Sequence, residues 1–214
     1  LFVNRMMGVS WGGGENYDYH LARGLQSRGH EVLMFTARLP GSQARLPKDI
    51  ECVSIEAPYF RKYMYSLAGK VPLVPGLFAE LDLWLFKQKA MHEIQRIVQQ
   101  RNIDVVQVLA LPWMAEWLTR LRPTAMRFPG PPAWFQSGIL RRLGRDRRSK
   151  MFTHGDAVDY FHQRLEIPVA EVPPGIDTDL FRRPSQADRA LVREQLGFSP
   201  DEFVLTTVGR LIAG

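Results

Sequence analysis

The chain has 214 residues, 45% of them hydrophobic and 23% charged, a balance that excludes a disordered or collagen-like polypeptide and fits a globular fold. A lone cysteine, Cys52, excludes an internal disulfide and suits a reducing compartment. No run of about eighteen apolar residues offers a transmembrane helix, and Leu1-Phe2-Val3 has neither the basic leader nor the cleavage site of a signal peptide.

The net charge of +6 is concentrated at Arg61-Lys62 and at residues 141–150. Such a surface suits anionic lipid or an anionic substrate, and equally a solvated basic face. Nucleic acid is not expected as a partner, since no zinc-ligand spacing or RNA-binding aromatic signature accompanies the charge. The chain starts without Met and stops inside an apolar-glycine run, so a fragment with two cut ends is expected.

In chain order, short apolar runs alternate with longer amphipathic stretches, the pattern of a parallel sheet with crossover helices. Residues 1–7 predict a first strand, followed by Gly12-Gly13-Gly14 and a helix over 15–28 with Tyr17, Leu21 and Leu25 on its apolar face; Gly29 is its stop. Strands are expected at 32–36 and 50–55. A long helix over 80–101 places Leu83, Phe86, Ala90, Ile94 and Ile97 at helical spacing. A buried strand at 105–109 precedes a helix opened by Pro112. Strands at 124–128 and 150–153, a helix over 155–164 and a short strand at 170–172 follow. Beyond Pro173-Pro174-Gly175 the chain turns polar, with one helix around 188–196, until residues 203–208 restart as a hydrophobic strand.

This order predicts an α/β, Rossmann-like, mostly parallel sheet with helices on both faces. The expected domains are 1–176, a linker with a helix over 177–202, and the first strand of a truncated second domain at 203–214. Glycines between a strand and a helix let backbone N–H groups approach an anion at the helix N-terminus. The same turn can also exist without a ligand. For a nicotinamide fingerprint, Gly12 and Gly14 fit, but Tyr17 stands where a third small residue is needed; Arg38 leaves an NADP reading open. No Gly-Lys-Ser/Thr follows, which excludes a P-loop.

Three blocks carry a resemblance. Gly12-Gly13-Gly14-Glu15 with Leu21-Ala22-Arg23-Gly24-Leu25 and Arg28-Gly29-His30-Glu31-Val32 resembles the opening of family 4 glycosyltransferases. Val172-Pro173-Pro174-Gly175-Ile176-Asp177-Thr178-Asp179-Leu180-Phe181 resembles that family's exit into its interdomain linker, and Val208-Gly209-Arg210-Leu211 its second-domain phosphate loop. The resemblance implies a two-domain GT-B enzyme that moves a sugar from a nucleotide-diphosphate donor to an acceptor with retention. It implies no metal and no cofactor beyond the nucleotide sugar as co-substrate, and an acceptor that is a glycan, lipid-linked or small molecule. It also implies that Gly12, Gly13, Gly14, Glu15, Gly209 and Arg210 approach the donor diphosphate.

This sequence departs from the family where Pro129-Gly130-Pro131-Pro132 follows the strand at 124–128 in place of a His; Arg127 and His154 are the candidates to line the cleft instead. Glu194 and Glu202 have the spacing of the family's paired glutamates, but Gly197, Ser199 and Pro200 interrupt them, which makes the match a coincidence. The basic and aromatic residues at 59–78 suit acceptor or membrane contact, giving a cytoplasmic protein peripheral to the inner face of the membrane. The fragment alone is expected to be inactive. The rival readings are a non-catalytic anion-binding Rossmann-like module and an NADP-dependent oxidoreductase.

Overall fold

A computed structural model describes residues 1–44, 46–60, 74–176, 178 and 181–205, with side chains from residue 80 onward in the helix that opens at Val74. The chain divides into two compact units, Leu1–Pro174 and Gly175–Gly214.

The first unit is a seven-stranded sheet with every neighbouring pair parallel. Its strands are β1 (Phe2–Val3), β2 (Leu33–Arg38), β3 (Glu51–Glu56), β4 (Val106–Leu109), β5 (Thr124–Arg127), β6 (Ser149–Thr153) and β7 (Ala170–Glu171), in the spatial order β3-β2-β1-β4-β5-β6-β7. Strands are added leftward from β1 to β3 and rightward from β4. Because parallel crossovers are right-handed, that reversal sends the helices to opposite faces.

Side chains in the strands divide accordingly. Phe2 and Met34 pack with Ala22 of α1 (Gly13–Gln26), Val32 and Ile50 on one face. Val3, Phe35, Val106, Val108 and Met126 meet the other helices on the opposite face. Those helices are α2 (Val74–Gln100), α3 (Pro112–Leu118) and α4 (Ser137–Arg145). As its spacing predicts, α2 buries Phe86, Ala90, Ile94 and Ile97, while Leu83 is half-buried against the same core. Among the described residues no helix is long and apolar enough to cross a membrane.

Four sequence expectations need correction. First, β1 stops at Val3 rather than Met7. The Asn4 Oδ1 accepts the Met6 N–H at 3.0 Å, and the Met6 carbonyl accepts from Val9 and Ser10, which closes a turn where an apolar run promised a strand. Second, the inward face of α1 is Glu15, Asp18 and Ala22; Leu21 and Leu25 lie only half-buried at its flank. Third, the basic run near residue 141 is not only a charged face: it forms the second half of α4. Ile139, Leu140 and Leu143 are buried while Arg141, Arg142 and Arg145 face outward. Fourth, the helix expected over 155–164 is an α-turn, α5 (Asp156–Asp159), that widens into π-type turns over Tyr160–Leu165.

In the second unit, α6 (Gln186–Gln195) opens with a reciprocal cap: the Ser185 Oγ accepts the Asp188 N–H, and the Asp188 carboxylate accepts the Ser185 N–H. Glu194 lies in the last turn of this helix, and Glu202 accepts the Ser199 N–H at 3.1 Å, a local turn rather than a paired site. Phe203, Val204 and Leu205 form no strand; residues 206–208 of that expected strand, with Gly209 and Arg210, lie outside the described residues.

Candidate functional site at the carboxyl edge of the sheet

In an open parallel sheet, ligands settle outside the carboxyl ends of the strands where the order reverses, here between β1 and β4. The glycine turn occupies that position. Gly12 caps α1 without a side chain, and its carbonyl accepts the Asn16 N–H at 3.0 Å, so the N–H groups of the first turn are left to point outward. A β-carbon placed on Gly13 meets nothing within 4 Å, which marks open space beside the backbone. One on Gly14 falls 3.2 Å from the Leu109 Cδ2 at the end of β4, so this glycine sets the approach of α1 to the sheet.

Beneath the turn lies a buried polar cluster drawn from four elements. Asp18 of α1 is 1% exposed. Its Oδ2 accepts the Asn4 Nδ2–H at 2.8 Å, and its Oδ1 accepts from the Gln107 Nε2 at 3.0 Å and the Arg127 Nε at 3.4 Å. Arg127, at the end of β5 and 2% exposed, also donates from Nη2 to the Gly14 carbonyl at 2.9 Å and lays its guanidinium over the Tyr17 ring, 4.1 Å from the centroid. The planar fork of arginine suits this double duty; a lysine has one donor centre and cannot do both.

Burial lifts the Asp18 carboxyl from 3.8 to about 6, against the downward pull of Arg127 and the Asn4 hydrogen bond; the nearby Glu15 adds to the upward push. Glu15 is itself buried in the first turn of α1, and its side chain makes no hydrogen bond or ion pair among the described residues. Ala110, directly after β4, takes φ 47, an uncommon backbone for a residue with a β-carbon, and its N–H donates to the Arg127 carbonyl.

The structure thus brings Gly12, Gly13, Gly14, Glu15 and Arg127 together at one edge. Arg127 is not free to meet a ligand, because its guanidinium braces the turn from below. His154 follows β6 on the same edge, half-buried, its side chain without a hydrogen bond or ion pair among the described residues. Asn4, Asp18 and Gln107 escaped sequence reasoning. The available signal was a carboxylate pair, Glu15 and Asp18, three residues apart on the helix face that must meet the sheet.

A second cluster fixes the loop after β3. Buried Arg5 and Asp82 lie 3.5 Å apart; Arg5 also donates to the Pro58 carbonyl, and Asp82 accepts the Phe60 N–H. Of the basic-aromatic segment singled out at 59–78, residues 61–73 and the side chains of 74–78 lie outside the described residues.

Comparison with known proteins joins these features to a family. The fold is similar to that of a glycosyltransferase from Rickettsia africae ESF-5, with a TM-score of 0.61 and 14% identity over 94% of this chain and 49% of that one. A weaker likeness, with a TM-score of 0.49 and 13% identity, is to WaaG, a glycosyltransferase involved in lipopolysaccharide biosynthesis, over 94% of this chain and 52% of that one. The chain therefore spans about half the length of these structures. No curated protein matches the sequence. The sequence profile of Glycosyltransferase Family 4 matches residues 11–180, and the chain belongs to that family.

Proposed function

We propose that this chain is the acceptor-side part of a retaining, hexose-transferring enzyme that uses a nucleotide-diphosphate sugar without a bound metal. The observation that carries this reading is the capless, side-chain-free start of α1 at the strand-order reversal. As the bond from the sugar to the diphosphate breaks, negative charge grows on the leaving phosphate. Main-chain N–H groups of Gly13, Gly14 and Glu15, fixed in direction by the helix, meet that charge without reorganising. Arg127 and Asp18 act beneath them by holding the turn in place. Gly209 and Arg210 are proposed to approach the same diphosphate. His154 is the cleft group left to contact the sugar, and Glu15, whose side chain is buried, offers its main-chain N–H to the diphosphate. The acceptor is a glycan, a lipid-linked molecule or a small molecule, reached at the inner face of the cytoplasmic membrane by peripheral contact.

Gly13→Ala separates this function from stability. The added methyl meets no atom, and alanine is the better helix former, so stability should hold or rise by up to about 1 kcal/mol. Affinity for a nucleoside diphosphate such as UDP, measured by titration, should fall about tenfold, or about 1.4 kcal/mol, because the methyl stands between amide and phosphate. Unchanged UDP affinity in a stably folded Gly13→Ala protein would remove the turn from the site.

A further inference from the structure

Besides the glycine turn, the carboxyl edge of the sheet presents a group of exposed aromatic rings. Trp134 is 78% exposed, Trp113 39% and Phe135 39%. One carboxylate ties Trp113 to Gln136, the residue next to Phe135. Glu80 of α2 accepts the Trp113 indole N–H at 3.0 Å and the buried Gln136 amide at 3.3 Å, which ties α2, the first turn of α3 and the short 3-10 turn Trp134–Gln136 together. Trp84 lies one turn further along α2 on the same face as Glu80 and is also exposed. Trp134 and Phe135 stand edge to face, 5.8 Å apart.

We propose that Trp113, Trp134 and Phe135, grouped around Glu80, form a stacking platform for a neutral sugar ring of the acceptor. The proposal rests on the glycosyltransferase reading and adds to it the substrate class: the acceptor presents a saccharide, not a bare lipid or aglycone.

Three observations favour a sugar. A pyranose offers apolar C–H faces and a rim of hydroxyls, which matches exposed ring faces beside a half-exposed carboxylate able to accept further hydrogen bonds. The platform is also pre-organised. Pro129, Pro131 and Pro132 restrict the backbone leading to Trp134, and Glu80 holds Trp113, so little conformational freedom is lost when a ring stacks. Third, the placement of charge disfavours an anionic membrane as the occupant. The exposed basic residues Arg145, Arg147, Arg148 and Lys150 lie where α4 leads into the amino end of β6, whereas the rings precede α4 at the carboxyl end of β5. The rings and these four cations thus lie toward opposite ends of the sheet, and among the described residues the charged group that bonds within the ring cluster is a carboxylate. Position joins the platform to the turn: Gly14 and Trp113 flank the same end of β4, since the Gly14 backbone faces Leu109 and α3 starts three residues later.

The test uses the chain itself, with the indole N–H signals of its five tryptophans followed by NMR during titration with maltose, cellobiose and lactose. The expected result is a saturable shift of the Trp113 and Trp134 signals, with Trp117, half-buried against the core, unmoved. Trp134→Ala removes a side chain the core does not use, and should weaken saccharide binding about tenfold, at the low end of the cost of deleting a stacking ring. No shift with any of the three sugars overturns the proposal. So does Trp134-dependent binding to vesicles of phosphatidylcholine and phosphatidylglycerol with no response to sugar. A failure here that leaves UDP binding at the glycine turn intact sinks the platform alone; saccharide binding without UDP binding sinks the assignment of the glycine turn instead.

Discussion

Arg127→Ala should cost the fold about 3–5 kcal/mol at pH 7.5, the penalty for stripping one partner from a buried ion pair. The pair is nearly fully enclosed, with side-chain exposures of 3% for Arg127 and 1% for Asp18. Without the guanidinium, Asp18 keeps only the neutral donors Asn4 and Gln107, with Glu15 adding repulsion from the same helix. The Gly14 carbonyl also loses its Arg127 donor.

The pH dependence carries the sign that identifies the cause. The Asp18 carboxyl already sits at about 6 in the fold against 3.8. A folded value above the unfolded one means that the native state binds the proton more tightly. The contribution of this group is therefore fully present below 3.8 and is lost as pH rises through about 6. Deleting Arg127 removes the main influence holding that value down, so the loss in Arg127→Ala should be smaller at pH 5 than at pH 7.5. Urea titrations of both proteins at the two pH values measure it. A loss that is equal at both would show that Asp18 is not the group left exposed, and Asp18→Asn should flatten the wild-type profile between pH 4 and 6.5.

Gly8→Ala is expected to be the second large loss, about 1–3 kcal/mol of overpacking. A β-carbon there falls 2.3 Å from the Ala37 carbonyl oxygen and 3.2 Å from the Thr36 Cγ2. The nearest obstacle is backbone, and it cannot swing aside: the Ala37 N–H donates to Arg5, and the Gly8 N–H is held by the Thr36 hydroxyl at 2.9 Å. Gly14→Ala provides the contrast, since its nearest neighbour is the far end of the Leu109 side chain, which can shift. Thermal melts should therefore rank Gly8→Ala well below Gly14→Ala. The reverse order would mean that the turn after β1 yields more easily than its contacts imply.

Much of this fold could be read from periodicity because its core is ordinary. Phe86, Ala90, Ile94 and Ile97 announce α2, and alternation of apolar runs with amphipathic stretches announces a parallel sheet. The readings that failed did so where polarity was buried or charge concealed an element. Leu1 through Met7 looks like a strand because nothing local reveals that the Asn4 side chain will close a turn. On α1, the apolar face of Tyr17, Leu21 and Leu25 was chosen because hydrophobicity normally points inward; the sheet instead receives Asp18, which meets donors 14, 89 and 109 residues away in sequence. Five arginines and a lysine over residues 141–150 mask the apolar stripe of Ile139, Leu140 and Leu143 that makes α4 a helix.

The candidate site was legible in part for the same reason. Gly12, Gly13, Gly14 and Glu15 form a local motif, and their place at the strand-order reversal follows from the element order. The role of Arg127 does not. Its position at a strand end suggested a cleft residue, and only the long-range pairing with Asp18 and Gly14 turns it inward as a brace. The aromatic group around Glu80 draws on residues 80, 113 and 134–136, a combination that no local spacing announces.

The central claim is that the amides at the start of α1 receive a diphosphate, and their own resonances test it most directly. Titration of the chain with UDP should shift the backbone N–H signals of Gly13, Gly14 and Glu15 saturably, with the Arg127 guanidinium signals following. If those amides stay fixed while shifts gather at the basic residues 141–150, the anion is held by surface charge and the assignment of the turn is wrong.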